Sequence, residues 1–437
     1  MRDTPNLQAL SEGREDWCNA AWLRAPVLLL FLLLTAAVPA WAQRNADQKA
    51  DLSRFVVVGD SLSAGFQNGS LLDSQQPHGY ASLIAEQAGV GLPLPLIAAP
   101  GIPNVLVLLN PGPPPVIVQA PGASTGRDNP FVQVMNLAVP GQTVQDALGK
   151  HPDFPIDSFT DLVLGLPGLL GGVSRSQVEW AEALAPTCIV LWIGSNDALN
   201  AIFAADPAVM TPVVAFQTAY AQVMDRLAAT GATLVVANIP DATAIPFLTS
   251  AEDVAAGVGA PLAAIGPVLG IAPGDFVTPD AFPLIQAILT GVSAGPLPGN
   301  VVLDAGEVAT LRATTDAYNA FIAAKAQEKG APLVDIHALF NRIKEQGLVV
   351  GGQRLTTAFL GGVISLDGIH PTNTAYAVIA NKFIGALNRA FDADIEPVSV
   401  VRIKRDDPLV LPAGHPASER EHVDADTVRS LRAIMVH

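Results

Sequence analysis

The stretch Phe55-Val56-Val57-Val58-Gly59-Asp60-Ser61-Leu62-Ser63 decides how the chain is read. Four apolar residues, three of them β-branched, read as a buried strand. Gly59 ends that strand and the chain turns. A serine on the turn after a buried parallel strand stands at the mouth of an α/β sheet, where ligands bind. Ser61 is therefore a candidate nucleophile, provided that the rest of the chain supplies its partners.

Further short runs of the same kind recur at long spacing: Val132–Leu137, Cys188–Ile193, Leu234–Ala237 and Pro332–Ile336. Helical periodicity lies between several of them. Phe216, Tyr220, Val223 and Leu227 share one helix face, as do Leu311, Tyr318, Phe321 and Ile322 within Val308–Ala326, and Ala375–Phe391 reads as a closing helix. Strands alternating with helices predict a parallel sheet covered on both faces, with right-handed crossovers.

The start of the chain reads as a targeting segment. Arg24 precedes the apolar run Ala25–Leu34, and Ala40-Trp41-Ala42 gives a small-x-small cleavage pattern. The run is shorter than the roughly 20 residues that span a bilayer. Residues 1–42 are expected to be a secretory signal, an uncleaved anchor being the rival. Cleavage leaves residues 43–437 with a net charge of −15, since 1–42 carry 3 basic and 4 acidic residues of a chain at −16. Such an acidic chain disfavours nucleic acid and anionic headgroups as partners. Of the two cysteines, Cys18 leaves with the leader and Cys188 remains alone. No intrachain disulfide then forms, and the fold rests on its core.

Three Gly- and Pro-rich apolar segments interrupt the pattern, at about 89–130, 154–173 and 254–300. The first contains Pro113-Pro114-Pro115, the second Leu162-Val163-Leu164, and Val254–Pro273 carries no charge. The glycines and prolines of the last argue against a membrane helix. Insertions this long are either packed filler or a roof over the site. A roof would favour an acyl chain, each buried CH₂ contributing roughly 0.8 kcal/mol. The charged tail, 393–437, lacks an apolar period and is expected to be partly disordered.

A serine hydroxyl is a poor nucleophile near neutral pH. It needs a base, a group to orient that base, and donors for the developing oxyanion. Asp367-Gly368-Ile369-His370-Pro371 precedes the closing helix. His370, of a residue type with a reference pKa of about 6.5, is the natural base. Asp367, three residues earlier, can reach one ring nitrogen while the other faces Ser61, and Pro371 keeps His370 out of the helix. Gly194-Ser195-Asn196-Asp197 ends the strand at Cys188–Ile193, so Asn196 emerges at the same sheet edge with an amide to donate. Gly141, in Asn136-Leu137-Ala138-Val139-Pro140-Gly141, can present a bare backbone N–H there.

These blocks, Gly59-Asp60-Ser61-Leu62, Gly141 in its Pro-Gly loop, Gly194-Ser195-Asn196-Asp197 and Asp367-Gly368-Ile369-His370-Pro371, resemble in kind and order the motifs of the GDSL (SGNH) hydrolases. The resemblance covers about Phe55 to Phe391. It implies a flavodoxin-like α/β/α sandwich and ester hydrolysis without metal or cofactor. It also implies that Ser61 is the nucleophile, that Gly141 and Asn196 complete the oxyanion hole, and that Asp367 and His370 finish a triad. The long apolar insertions depart from the family pattern, so the resemblance does not carry a substrate with it.

Ser124 and Ser293 also sit in Gly-x-Ser-x-Gly, but prolines follow both and neither opens a helix. His337 with Asp335 suggests at most a metal pair and reads better as a hydrogen-bonded pair at the core edge. Cys188 reads as an inert small hydrophobe. The expected protein is an exported, periplasmic or extracellular, serine hydrolase cleaving carboxylic esters of apolar or lipid-like acyl groups. An acyltransferase or polysaccharide deacetylase using the same site, or a non-catalytic binding protein on this scaffold, are the alternatives.

Overall fold

Buried β-branched runs build the central sheet. Strands β1 (Phe55–Gly59), β4 (Cys188–Trp192), β5 (Thr233–Ala237) and β9 (Leu333–Val334) lie parallel in the spatial order β1-β4-β5-β9. The computed structural model describes residues 50–112 and 115–412, so the leader expected at 1–42 and the tail beyond residue 412 lie outside the described residues. Every residue of β1 and β4 is buried, which is why both read as unbroken apolar runs.

The expected strand at Val132–Leu137 is reduced to a bridge between Asn136 and Val57, on the free edge of β1. Val57 N–H donates to Met135 O (3.0 Å) and Leu137 N–H to Val57 O (2.9 Å). The Asn136 side chain turns to local partners, donating to Ser63 O (2.9 Å) and accepting from Ala138 N–H (3.1 Å). With that edge segment counted, the order is the 2-1-3-4-5 of a flavodoxin-like doubly wound sheet. The strand expected over Pro332–Ile336 shortens to β9 because Asp335 caps the following helix, accepting from Ala338 N–H at 2.9 Å.

The short helix α1 (Ser61–Ala64) follows β1. On one face of the sheet pack α2 (Tyr80–Ala88) and the closing helix α12 (Asn373–Phe391). On the other pack α3 (Val144–Gly149), α4 (Gln177–Ala183), α6 (Val213–Ala229) and α10 (Ala305–Lys329). Helix α5 (Ser195–Ala204) continues from β4 and α11 (Ile336–Gln346) from β9. The phases read from Phe216 to Leu227 and from Leu311 to Ile322 hold. Phe216, Tyr220 and Tyr318 are fully buried, with the Phe216 and Tyr318 rings stacked at 4.0 Å.

The insertions are structured. The first carries a separate hairpin, β2 (Leu106–Asn110) with β3 (Val116–Gln119). The third forms a lobe with its own core. Helices α7 (Ala251–Val258), α8 (Leu262–Leu269) and α9 (Ala281–Leu289) pack with the small antiparallel sheet β6 (Thr249–Ser250), β7 (Phe276–Val277) and β8 (Val302–Leu303). Among the described residues no single helix is long and apolar enough to cross a membrane. The hairpin β10 (Leu348–Val350) and β11 (Gln353–Leu355) precedes the Asp367 loop. Residues 393–412, the described part of the tail, are structured. Helix α13 (Val400–Asp406) packs on α12, and the buried Asp407 carboxylate accepts from Thr374 N–H (2.8 Å) and Thr374 Oγ1 (2.7 Å).

Candidate active site

The parallel strands deliver their C-terminal ends to one rim. There the chain leaves β1 at Gly59-Asp60-Ser61, and a side chain at position 59 has no room. An added Cβ would fall 2.4 Å from Ser63 Oγ and 2.5 Å from Trp192 O. Asp60 caps α1, its Oδ1 accepting from Leu62 N–H at 3.1 Å. This holds Ser61 at the first turn of the helix.

The Asp367–His370 loop arrives from the far end of the chain. Ser61 Oγ lies 2.8 Å from His370 Nε2, and His370 Nδ1 lies 3.0 Å from Asp367 Oδ2. All three side chains are at least 95 % buried. The second carboxylate oxygen of Asp367 accepts from the N–H groups of Ile369 (2.9 Å) and His370 (2.8 Å), and Oδ2 also accepts from Gly69 N–H (2.8 Å). Burial alone would raise the Asp367 carboxyl. The neighbouring imidazole and the hydrogen bonds outweigh it and hold the group below the ordinary carboxylate range. The carboxylate fixes Nδ1 as the protonated nitrogen, which leaves the Nε2 lone pair facing the Ser61 hydroxyl. Phe66 covers the imidazole, ring to ring at 4.6 Å, and Phe159 of the second insertion meets Phe66 at 6.1 Å.

The Gly141 loop is tied to both of its neighbours. Val139 N–H donates to Gly59 O (3.1 Å), Asn196 Nδ2 donates to Gln142 O (2.9 Å), and Val144 N–H donates to Asp197 Oδ2 (3.0 Å). Gly141 itself has φ +83°, a left-handed backbone that disfavours a side chain. Among the described residues no hydrogen bond takes up the N–H of Ser61 or of Gly141. The Asn196 amide, with two N–H groups, gives one to Gln142 O. Ser61, Asn196 and His370 open on a cavity of about 40 Å³ whose remaining wall is mostly apolar, with Leu199, Ile239, Ile245 and Phe340. Gly141 lies on a second cavity, of about 190 Å³, together with Ile102 and Pro103 of the first insertion and Phe159 and Thr160 of the second. The first two insertions thus border the rim, whereas the apolar wall beside Ser61 comes from α5, the loop after β5 and α11.

This geometry places Ser61, His370 and Asp367 in one hydrogen-bonded line at the C-terminal rim of the sheet, with Asn196 beside them. The family described as GDSL-like lipase/acylhydrolase matches residues 55–383. The chain belongs to that family. Among solved structures it is similar to LAE5, an alpha/beta hydrolase enzyme from the metagenome of Lake Arreo, Spain. The two are 15 % identical, with 76 % of this chain and 94 % of that chain covered and a TM-score of 0.36. It is similar also to the psychrotrophic esterase EstA from Pseudoalteromonas sp., at 14 % identity, 77 % and 98 % coverage and a TM-score of 0.33. Phospholipase A1 from Streptomyces albidoflavus NA297 matches with the same identity, coverage and TM-score. No curated protein matches the chain. The GDSL-family match makes this chain a carboxylic ester hydrolase.

Three positions of this GDSL-family chain were not legible in the sequence as parts of the rim. Gln177, fully buried on α4, accepts from Gly59 N–H at 2.9 Å and donates from Nε2 to Gln142 Oε1 at 2.5 Å. Gln142 Nε2 in turn lies 3.1 Å from Thr160 Oγ1. One buried amide chain therefore joins the Ser61 turn, the Gly141 loop and the second insertion. The only sequence signal was the position of Gln142 directly after Gly141. Asp197 is the third: it stands in the Gly194–Asp197 block, but its bond to Val144 N–H (3.0 Å) was not legible there. His337 is a hydrogen-bonded core-edge residue, its Nδ1 3.1 Å from Ile239 O. Among the described residues no group of three or more His, Cys, Asp or Glu is placed to hold a metal. Ser124 Oγ donates to Ala98 O (2.6 Å) away from any helix, and burial pushes the Cys188 thiol up to about 12.

Asp197 also yields a pH prediction. Burial pushes its carboxyl up to about 6, against the Val144 hydrogen bond. A carboxyl raised above its unfolded value makes the folded chain bind more protons than the unfolded chain between pH about 4 and 6. Stability from this group therefore falls as pH rises through that window. Asp197→Asn keeps an acceptor for Val144 and removes the buried charge. It should stabilise the protein at pH 8 by on the order of 1–3 kcal/mol and leave it unchanged at pH 4. Thermal unfolding at the two pH values checks this, and an equal shift at both would contradict it.

Proposed function

We propose that the protein is an exported serine hydrolase that cleaves esters of apolar acyl groups through an acyl-enzyme on Ser61. The observation that carries the reading is the unbroken Ser61–His370–Asp367 line, at 2.8 and 3.0 Å, buried beside an apolar cavity. Ser61 Oγ attacks the ester carbonyl as its proton passes to His370 Nε2. The Asp367 carboxylate, ionised and already on Nδ1, stabilises the imidazolium. The carbonyl oxygen gains charge and is met by the N–H groups of Ser61 and Gly141 and by the Asn196 amide. Collapse of the tetrahedral intermediate returns the proton from His370 to the departing alcohol. Water, deprotonated by the same imidazole, then releases the acid and restores Ser61.

The enclosed space has room for about three water-sized groups. It suits the first carbons of an acyl group, and a longer chain would have to run out along the rim. Leu199, Ile245 and Phe340 supply the apolar contacts that favour such a chain over water. The leader-like sequence of residues 1–42, an apolar run after Arg24 followed by Ala40-Trp41-Ala42, supports export, and cell fractionation with sequencing of the mature amino terminus checks it. Hydrolysis of chromogenic esters of graded acyl length tests the reading directly. Turnover that depends on Ser61 and discriminates by chain length supports it, and an inert protein would leave a binding role on this scaffold.

Replacing one oxyanion donor tests the assignment of the hole. Asn196→Ala should lower kcat by roughly 10²- to 10³-fold and leave KM within a few-fold of its original value, because the charge on the oxygen exists only in the transition state. A loss confined to KM would place Asn196 in ground-state binding instead.

A further inference from the structure

Residues 87–126 contain no Asp, Glu, Lys, Arg or His, a forty-residue uncharged run in a chain of net charge −16. The hairpin β2–β3 lies within it. Leu106 on one side of the hairpin is buried, and Leu108 and Ile117 pack against the core. The other side presents Val107, Leu109, Val116 and Val118, which are 37 %, 64 %, 44 % and 39 % exposed. Val107 pairs directly with Val118, and Leu109 and Val116 lie across the bulge next to them. Alternation thus gives one continuous apolar face in water, the reverse of a solvated hairpin.

Two features fix what that face is built to meet. The hairpin grows out of the rim of the site. Leu106 N–H donates to Asn68 O (2.9 Å) and Ile102 pairs with Leu71, while Gly69 N–H between them donates to Asp367 Oδ2 (2.8 Å). Ile102 and Pro103 at its base line the cavity that holds Gly141. In addition, the sequence linking the strands is Pro111-Gly112-Pro113-Pro114-Pro115. Proline carries no N–H, so this linker brings few donors that would be left unsatisfied in an apolar medium. With no charge to retain it in water or to seek an anionic headgroup, and an acidic chain behind it, the face complements an uncharged surface.

We propose that the β2–β3 hairpin is an interfacial anchor. Its Val107, Leu109, Val116 and Val118 face enters the electrically neutral surface of a lipid aggregate and brings the Ser61 rim against it. Adsorption to lipid is independent of the hydrolase reading. The delivery of ester to Ser61 rests on it.

The test compares flotation of the full chain and its Leu109→Asp/Val116→Asp variant with phosphatidylcholine vesicles and with phosphatidylglycerol vesicles, both forms in the Ser61→Ala background. Residues 1–42 are common to both, so the difference isolates the hairpin. The expected result is co-flotation with phosphatidylcholine, weaker with phosphatidylglycerol, and at least a tenfold loss in the double variant. Val107→Ser/Val118→Ser, a milder change on the same face, should fall in between. With Ser61 intact, the hairpin variants should hydrolyse a dissolved short-chain ester at the original rate and lose at least tenfold on ester embedded in vesicles. Equal flotation of original and variants, or stronger binding to the anionic vesicles, overturns the anchor. So does a dimer in solution that the variants convert to monomer without any lipid binding, since the face would then belong to a second copy. Absence of turnover on dissolved ester in the protein with Ser61 intact would instead strike the hydrolase reading and leave the flotation result standing.

Discussion

Ser61→Ala should lower kcat for a chromogenic ester by about 10⁵- to 10⁶-fold, to the level that the proposed oxyanion donors and the cavity alone would sustain. The effect is large because the attacking oxygen has no understudy. Among the described residues Ser124 is engaged by Ala98 O, and Ser293 follows α9 with no helix behind it. The fold should not notice. Position 61 is the first residue of α1, whose cap is the Asp60 carboxylate, and alanine is a good helix former. Steady-state kinetics with a parallel thermal melt reads both sides of this. A variant that keeps more than a hundredth of the original kcat would remove Ser61 from the chemistry.

Asp367→Asn comes next in size, with kcat down by roughly 10⁴-fold. The amide that replaces the carboxylate can accept from the imidazole only by giving up other contacts, and it cannot stabilise an imidazolium. The same change carries a stability signature with a definite sign. The folded-state carboxyl lies below its unfolded value, so the ionised form contributes stability above pH about 4, and the contribution is lost as pH falls through the folded value. Asn has no such titration. The gap in melting temperature between the original protein and Asp367→Asn should therefore be wide at pH 7 and narrow towards pH 3. A gap that widens on acidification would mean that the carboxylate is not held as the structure places it.

The parts of the site that rest on local chemistry were legible in the sequence. A buried strand followed by Gly-Asp-Ser, a glycine loop, Gly-x-Asn-Asp after a strand and Asp-x-x-His before a helix each declare their own surroundings, and all five candidate positions map to the rim. What was not legible depends on distant partners. Gln177 reads as an ordinary helix residue, yet it holds the Gly59 amide 118 positions away. Asp407 reads as one more charge in the tail, yet it pins residues 393–412 to the start of α12 through Thr374. The segment Val132–Leu137 has the composition of a strand, but one sheet neighbour on one side leaves it a single bridge. In the third insertion, glycine and proline hid three short helices. α8 carries Pro267 inside it and survives because Ile265, Leu269 and Ile271 are buried in the lobe's own core. Tertiary burial there overrides a propensity penalty of roughly 3 kcal/mol.

In the proposed mechanism the imidazole of residue 370 activates the hydroxyl of residue 61. Mass spectrometry of the intact protein and its peptides after exposure to a fluorophosphonate measures this most directly. A single adduct on Ser61 is expected, formed within minutes, and slowed by several orders of magnitude in His370→Ala. An adduct on another serine, or labelling of Ser61 at the same rate without His370, would contradict it.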